Sequence, residues 1–356
     1  MKVLDASVIR DRLEWEAWWQ KSPSRDVFAH PGYARLFAGK GKRVICLVDS
    51  AAAVLFPVIV SALHEEPWTR IDERRFDLSS PYGYGGPIQY DKADPAAIHN
   101  YWRAVDEWAS QELIVTGYAG LSPFKNDLLS IMWNHQHVSD SVICRVDREF
   151  EAVWRGFNRK IRKNVRRAER SGVSAGIENS SEAWKEFIRV YYDTLNRRGA
   201  TGFYYFSEDF FERLRDELRD MCTLFIARNE QGRVLSVELL LTSATRLYSF
   251  LGGSTEEGLE LRANELLKAT ILEWACKGSW GWYVLGGGKT RDDGVFKYKQ
   301  AFAPDSVIPY TVAKRVFDQT SYIELCRLRR DWMRHENLKP CSRRFPAYRM
   351  PVAPRN

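Results

Sequence analysis

Glu238 has the clearest setting for acid–base chemistry in this sequence. It lies in the apolar run of residues 237–241, whose composition is typical of a buried strand. A lone carboxylate in such a strand is costly unless it is exposed or paired. Glu238 is therefore a general base with a pKa tuned by burial, a residue on a polar strand face, or the partner of Arg246 or Arg262.

A glycine triplet, Gly286 to Gly288, follows the short apolar strand predicted at residues 282–285. Glycines let a backbone approach a ligand closely, and free N–H groups there would stabilise an oxyanion. We include Gly287 and Gly288 among the candidate substrate-binding residues. The same glycines would also make a plain tight turn.

A basic segment at residues 155–170 holds eight basic residues and one acid, although the whole chain has a net charge of only +7. Arg159, Arg162, Lys163 and Arg166 recur at helical spacing on one face. So many cations with so few acids favour phosphate binding, to a tRNA or to a nucleotide-linked precursor. A solvated helix face is the alternative.

Other reactive residues form no recognisable site. The six cysteines include no C-x-x-C pair and have no histidine at zinc-ligand spacing, so we predict reduced structural thiols and no metal. We find no Ser/His/Asp or Cys/His arrangement for nucleophilic catalysis. No tightly bound cofactor is expected.

The 356 residues suggest two domains, and 45% of them are hydrophobic, which is ample for two cores. No apolar run is long enough to span a bilayer, and the charged N-terminus lacks a signal-peptide core. We therefore predict a cytoplasmic protein. Residues 319–356 hold nine basic residues and three acids, and such a tail would contact RNA or an anionic membrane surface.

The hydrophobic pattern predicts strands and helices in both halves of the chain. The first half has a strand pair at 44–49 and 54–62, a Gly- and aromatic-rich loop at 80–87, and a helix at 96–111. One long basic helix is expected at about 150–171, with Val153, Phe157, Ile161 and Val165 as its apolar stripe. We predict an N-terminal domain of residues 1–149, a second domain of 150–318 and a basic tail of 319–356.

The second half has strands at 222–228, 234–241 and 246–251, then a helix from about 264 to 277, then the strand at 282–285. Together with the segments SPYGYGGP, FNRKIRKNVRRAERSGV, SVELLLTSATRLYSFLGGS, LRANELLKATILEW, YVLGGG and DGVFKYKQAFAP, this order resembles the Fem-type branch of the GNAT acyltransferase superfamily. The resemblance covers residues 30–315. It implies an α/β (α+β) fold with two GNAT-type domains, each a mixed, mostly antiparallel sheet flanked by helices.

The resemblance also implies roles for particular residues. Lys297, in the F-K-Y-K segment after Phe296, matches a Fem lysine that faces the cleft and stabilises charge on the donor or on the acyl oxygen, so Lys297 and Phe296 join Glu238 as catalytic candidates. Lys299 would point the same way if the segment is extended, and it is a substrate-binding candidate. Solvated lysines are the alternative.

Two further regions are implied to bind the acceptor. The region of Arg198 and Tyr204 supplies an arginine and a tyrosine to the acceptor's diphosphate and sugar in Fem-like proteins, with Arg197 and Tyr205 as competing matches. Tyr82 and Tyr84 in the glycine-rich loop would line the acceptor cleft from the first domain, or serve only to build the loop.

One departure concerns the donor. Acetyl-CoA enzymes carry a glycine-rich loop before the central helix that cradles the CoA pyrophosphate, and residues 258–264 read GLELRAN instead. The chain also leaves no room for the coiled-coil arm that many Fem enzymes insert in the second domain.

We therefore expect an amide-forming acyltransferase. Its donor is an aminoacyl-tRNA or an acyl-CoA, and its acceptor is an amine on a cell-wall precursor peptide, an amino sugar or a secondary metabolite. The alternatives are an acetyl-CoA-dependent N-acetyltransferase in polysaccharide or secondary-metabolite assembly, and a non-catalytic RNA-binding module with this fold.

Overall fold

A computed structural model describes residues 1–39, 41–70, 72–200, 202–288, 293–341 and 344–355. The chain forms two compact units. Unit 1 is built from Met1–Ser22, Phe28–Val138 and Tyr310–Asn356, and unit 2 from Pro23–Val27 and Ser139–Pro309. The predicted domains each assume one uninterrupted segment, whereas each unit combines segments that are distant in sequence.

The elements of the first part of the chain are β1 (Lys2–Asp5), α1 (Ile9–Lys21), α2 (Pro31–Ala38), β2 (Arg43–Asp49), β3 (Val54–Ala62), β4 (Phe76–Ser79), β5 (Ile88–Gln89), α3 (Pro95–Gln111), β6 (Ile114–Gly120) and β7 (Asn134–Arg145). They are followed by α4 (Phe150–Gly156), α5 (Arg159–Arg170), β8 (Ser174–Ile177), α6 (Ser181–Arg197), α7 (Glu208–Leu218), β9 (Cys222–Arg228), β10 (Val234–Thr242), β11 (Arg246–Ser254), α8 (Glu256–Glu260), α9 (Ala263–Lys277), β12 (Trp282–Gly286), α10 (Gly294–Gln300), β13 (Val307–Val316), α11 (Gln319–His335), β14 (Leu338–Pro340) and β15 (Val352–Pro354).

In unit 1 the strands β1, β2, β3 and β4 pair in sequence order and antiparallel. β4 then pairs parallel with β6, and β6 pairs antiparallel with β13 between residues 312 and 316. α3 connects the two parallel strands and buries Trp102, Val105 and Trp108. A parallel pair requires such a crossover, and the helix predicted at 96–111 is confirmed as this element.

Unit 2 has the same sequence of pairings. β8, β9, β10 and β11 pair antiparallel in order, β11 pairs parallel with β12, and β12 pairs antiparallel with β7. α9 is the crossover between the parallel strands. The mixed, mostly antiparallel sheets flanked by helices confirm the predicted fold class.

The basic segment is two helices and not the single helix we expected. α4 ends at Gly156, and α5 begins after Asn158, whose side chain accepts a hydrogen bond from the Lys160 N–H at 3.1 Å. An asparagine in this position favours a helix start because its side chain satisfies an N–H that the helix leaves unpaired. The apolar stripe is nevertheless buried as predicted: Val153, Phe157, Ile161 and Val165 belong to one core cluster.

The segment after residue 318 folds within unit 1. α11 buries Leu325, and Tyr348 is fully buried against the same cluster. Among the described residues, no helix has both the length and the apolar character that crossing a membrane requires.

Candidate functional site

The strands β11 and β12 of unit 2 pair for only part of their length. Three residues of β11, 246 to 248, register with residues 282 to 284 of β12. β11 then continues to Ser254, six residues beyond its last parallel partner. We call the place where the two strands cease to pair the strand opening. β11 stays paired with β10 over this stretch, and the Ser254 N–H at its end donates to the Thr194 hydroxyl at 3.0 Å.

Glu238 on β10 is part of a buried polar network. Its carboxylate is paired with the Nζ of Lys268 from α9 and also accepts a hydrogen bond from the Tyr283 hydroxyl of β12. Lys268 Nζ lies 3.0 Å from the Tyr283 hydroxyl and 3.3 Å from the Ser249 hydroxyl of β11. Glu238 and Lys268 are 4% and 3% exposed. The network therefore joins three strands and the crossover helix.

The predicted partners of Glu238 were wrong, because its cation comes from α9. Arg246 pairs instead with Asp26 at 3.6 Å, and Tyr248 donates a hydrogen bond to the same carboxylate at 2.6 Å. The side chain of Arg262 does not bind Glu238: its Nε is buried and has no hydrogen-bond partner among the described residues.

The F-K-Y-K segment is helical and not extended, because it forms α10, capped by the Asp293 side chain. On a helix, Lys297 and Lys299 cannot point the same way. Lys297 is exposed, whereas Lys299 is half-buried and donates a hydrogen bond from Nζ to the Gly287 carbonyl at 2.9 Å. Burial and, to a smaller extent, the Lys268 ammonium lower the pKa of Lys299 to about 8, although the Glu238 and Asp293 carboxylates act to raise it.

Phe296 is 3% exposed and belongs to the apolar core of unit 2. Its backbone N–H donates to the Asp293 carboxylate at 2.7 Å. Phe296 therefore anchors α10 to the core, so that Lys299 is held beside Gly287. A direct chemical role for its ring stays a prediction.

The glycine triplet follows β12 directly, and its residues are packed too closely for side chains. A Cβ on Gly287 would lie 2.2 Å from the Asp140 carbonyl, and one on Gly288 would lie 2.2 Å from the Asp293 carboxylate. Gly286 has φ 77°, which favours glycine. The group that the triplet presents to Lys299 is the Gly287 carbonyl, and oxyanion binding by its N–H groups stays a prediction.

The start of α9, where acetyl-CoA enzymes bind pyrophosphate, is acidic here. Arg262 precedes the helix in a left-handed conformation, and Glu265 in its first turn is 8% exposed. The Glu265 carboxylate accepts a hydrogen bond from the Asn164 side chain of α5 at 2.8 Å. A carboxylate in the first turn of a helix repels a phosphate that would bind at that N-terminus.

The basic face of α5 lies in the same unit, on the side of that helix opposite its apolar stripe. Five cations line one surface groove: Arg159, Arg162, Lys163, Arg166 and Arg170. None of the five has an ion pair with any residue that the structure describes. The Arg162 guanidinium donates to the Arg155 carbonyl at 3.0 Å and also to the Phe157 carbonyl, which holds it across the α4–α5 junction.

The predicted acceptor residues at the end of α6 are exposed. Arg198 follows that helix, and Tyr204 is 36% exposed in a short helical turn. The competing residues make contacts of their own: Arg197 donates to the Ser254 carbonyl at 2.6 Å, and the Tyr205 hydroxyl donates to Asn196 at 2.8 Å. Acceptor binding by this region stays a prediction.

Tyr82 and Tyr84 belong to unit 1, where they sit in an aromatic cluster. The Tyr84 ring lies 5.5 Å from those of Phe28 and Tyr310, and the Tyr82 ring lies 5.4 Å from that of Phe37. The backbone of the loop is tied down as well, because Tyr310 donates to the Gly83 carbonyl at 3.0 Å. These contacts account for the loop's shape, and its role with an acceptor stays a prediction.

Sequence reasoning missed Lys268 and Tyr283. The signal for Lys268 was present, since it falls among the buried positions Leu266, Leu267 and Ala269 of an otherwise apolar helix. A lysine in that setting predicts a buried partner, and Glu238 was the unexplained carboxylate.

Comparison with known proteins places this site in a known fold. The acetyltransferase (GNAT) domain family matches residues 155–300. The crystal structure of FemX superposes with a TM-score of 0.66 at 14% identity, covering 91% of this chain and 99% of that chain. The C-terminal domain of a putative lysylphosphatidylglycerol synthetase from Agrobacterium fabrum has a TM-score of 0.55 at 12% identity, covering 87% and 94% of the two chains.

L-PGS from Bacillus licheniformis also has a TM-score of 0.55, at 14% identity, covering 89% of this chain and 96% of that chain. No curated protein matches the sequence significantly. The predicted resemblance to the GNAT superfamily is confirmed by these matches. Residues 155–300 match the acetyltransferase (GNAT) domain family, the fold is like that of FemX, and the protein is an acyltransferase.

Proposed function

We propose that this protein transfers an aminoacyl group from a charged tRNA to an amine, forming an amide. The observation that carries the proposal is the cationic groove of α5, whose five basic side chains have no ion pairs with described residues. An RNA donor supplies the row of phosphates that such a face would neutralise. The acidic start of α9 argues in the same direction, because Glu265 disfavours a pyrophosphate there.

Lys299 is the residue best placed for proton transfer. Its pKa of about 8 leaves a useful fraction neutral near physiological pH, and a base works best when its pKa is near the working pH. Glu238 is less suited to this role because its carboxylate is engaged by Lys268 and Tyr283.

The transfer step balances without a covalent enzyme intermediate. The lone pair of the acceptor amine attacks the ester carbonyl carbon, a C–N bond forms, and the carbonyl electrons move to oxygen. Neutral Lys299 takes one proton from the amine nitrogen. The intermediate then collapses, the C–O bond to the ribose breaks, and the Lys299 ammonium returns the proton to the departing ribose oxygen.

The acceptor in this proposal is an amine on a cell-wall precursor peptide or an amino sugar. The exposed Arg198 and Tyr204 support a phosphate- and sugar-bearing acceptor, since a guanidinium binds phosphate bidentately and an aromatic ring packs on a sugar. Reaction in the cytoplasm and contact between the basic segments and an anionic membrane surface belong to the same proposal.

Acetyl-CoA is the second candidate donor. The matching domain family is described as acetyltransferases, and the α5 groove would bind the phosphates of CoA as well as those of RNA. In that reading the cations of α5 replace the glycine-rich loop that the sequence lacks.

The test is a transfer assay with two donors, labelled acetyl-CoA and a pool of tRNA charged with labelled amino acids. UDP-linked muramyl pentapeptide and glucosamine are the two acceptors. Labelled amide formed only from charged tRNA is the expected result. Product from acetyl-CoA alone would move the protein to the N-acetyltransferase function, and RNA binding without product from either donor would favour a non-catalytic binding module.

A further inference from the structure

The first helix of unit 1, α1, leaves a row of apolar side chains uncovered. Its Trp15 is fully buried and donates a hydrogen bond from the indole nitrogen to the Ala29 carbonyl at 3.0 Å, which fixes one face of the helix to the core. On the opposite face Ile9 is 67% exposed, Leu13 is 60% exposed, and Ala17 is exposed as well. These three positions recur every four residues, so they form one continuous row along the helix.

The length and spacing of this row suit contact with a second helix. Single exposed apolar side chains are common on soluble proteins, but several in one row are a candidate contact surface. The row is about 12 Å long, since each of eight residues rises 1.5 Å along the helix. An apolar row bordered by charges is the pattern with which one helix packs on another.

Two pairs of opposite charges border the apolar row, one pair on each side. Arg10 and Glu14 lie on one side, and Arg12 and Glu16 lie on the other, because each residue of a helix is rotated by about 100° from the one before. Glu14 is bonded to Lys2 at 2.6 Å. Arg10, Arg12 and Glu16 form no ion pair with any residue that the structure describes. Each side therefore carries a cation followed, four residues later, by an anion.

This order of charges distinguishes the two directions in which a second copy of α1 could pack. In an antiparallel pair related by a two-fold axis, each side of the row meets the same side of the other helix. Arg12 then faces Glu16 of the partner subunit, and Arg10 faces Glu14 of the partner subunit. In a parallel pair the two different sides meet, so that arginine would face arginine and glutamate would face glutamate. Only the antiparallel pair brings opposite charges together.

The apolar row is centred for the same antiparallel arrangement. The midpoints of the two charge pairs fall at positions 12 and 14, one on each side of Leu13. With the two-fold axis at Leu13, this side chain meets its own copy. Ile9, the large residue at one end of the row, meets the small Ala17 of the partner subunit at the other end. Charge and side-chain size thus fit one and the same axis.

We propose that α1 is a homodimer interface, in which two copies of the chain pack antiparallel about Leu13. The inference goes beyond the proposed function and does not depend on it. The contact is small, since each copy contributes one helix of 13 residues. Interfaces below the standard size are weak and transient, so the dimer forms in proportion to the protein concentration.

The first experiment is sedimentation of the full-length protein from about 1 µM to about 0.5 mM, a range that covers weak association. The wild type should shift from monomer towards dimer as the concentration rises. Leu13→Glu should raise the dissociation constant about tenfold or more, because it places two carboxylates at the centre of the contact. Met132→Glu is the matched control, since Met132 is 73% exposed in unit 1 but lies outside α1, and it should leave the dissociation constant unchanged.

Reversing the charges tests the pairing itself. Arg12→Glu alone and Glu16→Arg alone should each weaken the dimer, because each places like charges opposite one another. The double variant should restore the affinity of the wild type, because it only exchanges the two members of each pair. Nonspecific association through apolar surface would not show this recovery.

The direction of packing is tested with a short thiol cross-linker and two variants, Ile9→Cys and Ala17→Cys. A mixture of the two variants should form cross-linked dimers. Ile9→Cys alone should not exceed the wild type, because its two new thiols would be about 12 Å apart along the axis in an antiparallel pair. The wild type corrects for the native cysteines, of which Cys341 is exposed.

Protein that stays monomeric up to the highest concentration would overturn the inference, and so would a dimer that Leu13→Glu does not weaken. Efficient cross-linking of Ile9→Cys to itself would show a parallel pair and refute the proposed geometry. The other occupant to test is a lipid surface, with vesicles of phosphatidylglycerol and phosphatidylethanolamine. Monomeric protein whose vesicle binding is lost in Leu13→Glu would assign the row to the membrane and refute the dimer.

Discussion

The crossover helices of the two units, α3 in unit 1 and α9 in unit 2, connect equivalent strand pairs and bury very different residues. The buried positions of α3 are tyrosine, tryptophan, valine and alanine. Those of α9 include Glu265 and Lys268. A charged residue in a core needs a partner and costs stability. The same architecture therefore serves as a plain scaffold in one unit and carries a polar network in the other.

The strands beside these helices differ in the same sense. β4 pairs with β6 from Phe76 to Ser79, its whole length, whereas β11 extends well beyond its three parallel pairs.

Unit 1 also has a buried acid, Asp77, but its carboxylate is bonded to Thr116 at 2.8 Å, to Tyr348, and to Arg349 at 2.6 Å. These bonds attach the C-terminal segment to the sheet. We therefore expect Asp77 to be structural and the network of unit 2 to serve the proposed transfer.

The largest effect should come from Lys299→Met. Losing the proposed proton carrier should lower the transfer rate at saturating substrate by about 100-fold or more, within the usual range for a general base. Lys297→Met is the matched control, because it removes the same group from an exposed position of the same helix, and it should change the rate little. A large loss in the control with a small loss in Lys299→Met would restore Lys297 as the catalytic lysine.

Asp77→Asn tests the other side of the comparison. It leaves Tyr348 and Arg349 without their charged acceptor, so the free energy of unfolding should fall by about 2 to 3 kcal/mol. The transfer rate below the melting temperature should not change. Denaturant unfolding measures the first quantity. Asp72→Asn, at an exposed pair with Arg70, is the control and should lie within about 0.5 kcal/mol of the wild type.

The cations of α5 should contribute to affinity and not to chemistry. Replacing Arg159, Lys163 and Arg166 by glutamine should reduce the slope of log K against log salt for tRNA by about 2 to 3 and leave the folding stability almost unchanged, because all three are exposed. The control replaces Arg327, Arg330 and Lys339 of unit 1, which are also exposed. An equal loss of slope in both triple variants would mean that the C-terminal segment binds RNA as well.

The strands, helices and core stripes were predictable because they depend on local pattern. The crossover helix α3, the hairpin of β9 and β10, and the burial of Val153, Phe157, Ile161 and Val165 all follow from periodicity and turn residues. The break at Asn158 was missed because the apolar stripe continues through it with the spacing of one helix.

The site was predictable only in part, because its contacts join residues that are distant in sequence. Glu238 stood out as a carboxylate in an apolar strand, but its partner lies 30 residues later on a helix. The sequence did not show which of Lys297 and Lys299 is buried, because we expected residues 296–299 to be extended. In the structure this segment is the helix α10, which points the two side chains in different directions. Sequence pattern shows that a group is unusual, and the tertiary structure shows what it is paired with.

The pH dependence of transfer is the smallest expected effect, and it tests whether Lys299 is the group that carries the proton. The pKa of Lys299 is lowered to about 8, so its neutral form predominates above that pH and falls about tenfold for each unit below it. The rate at saturating substrate should therefore rise with pH and level off above about 8. Acceptors whose amines have different pKa values serve as the control. If the rise in rate reports the ionisation of Lys299, its midpoint pH should be the same with every acceptor. A rate that instead declines above pH 8 would show that the ammonium is the working form, and Lys299 would then stabilise the oxyanion and not carry the proton.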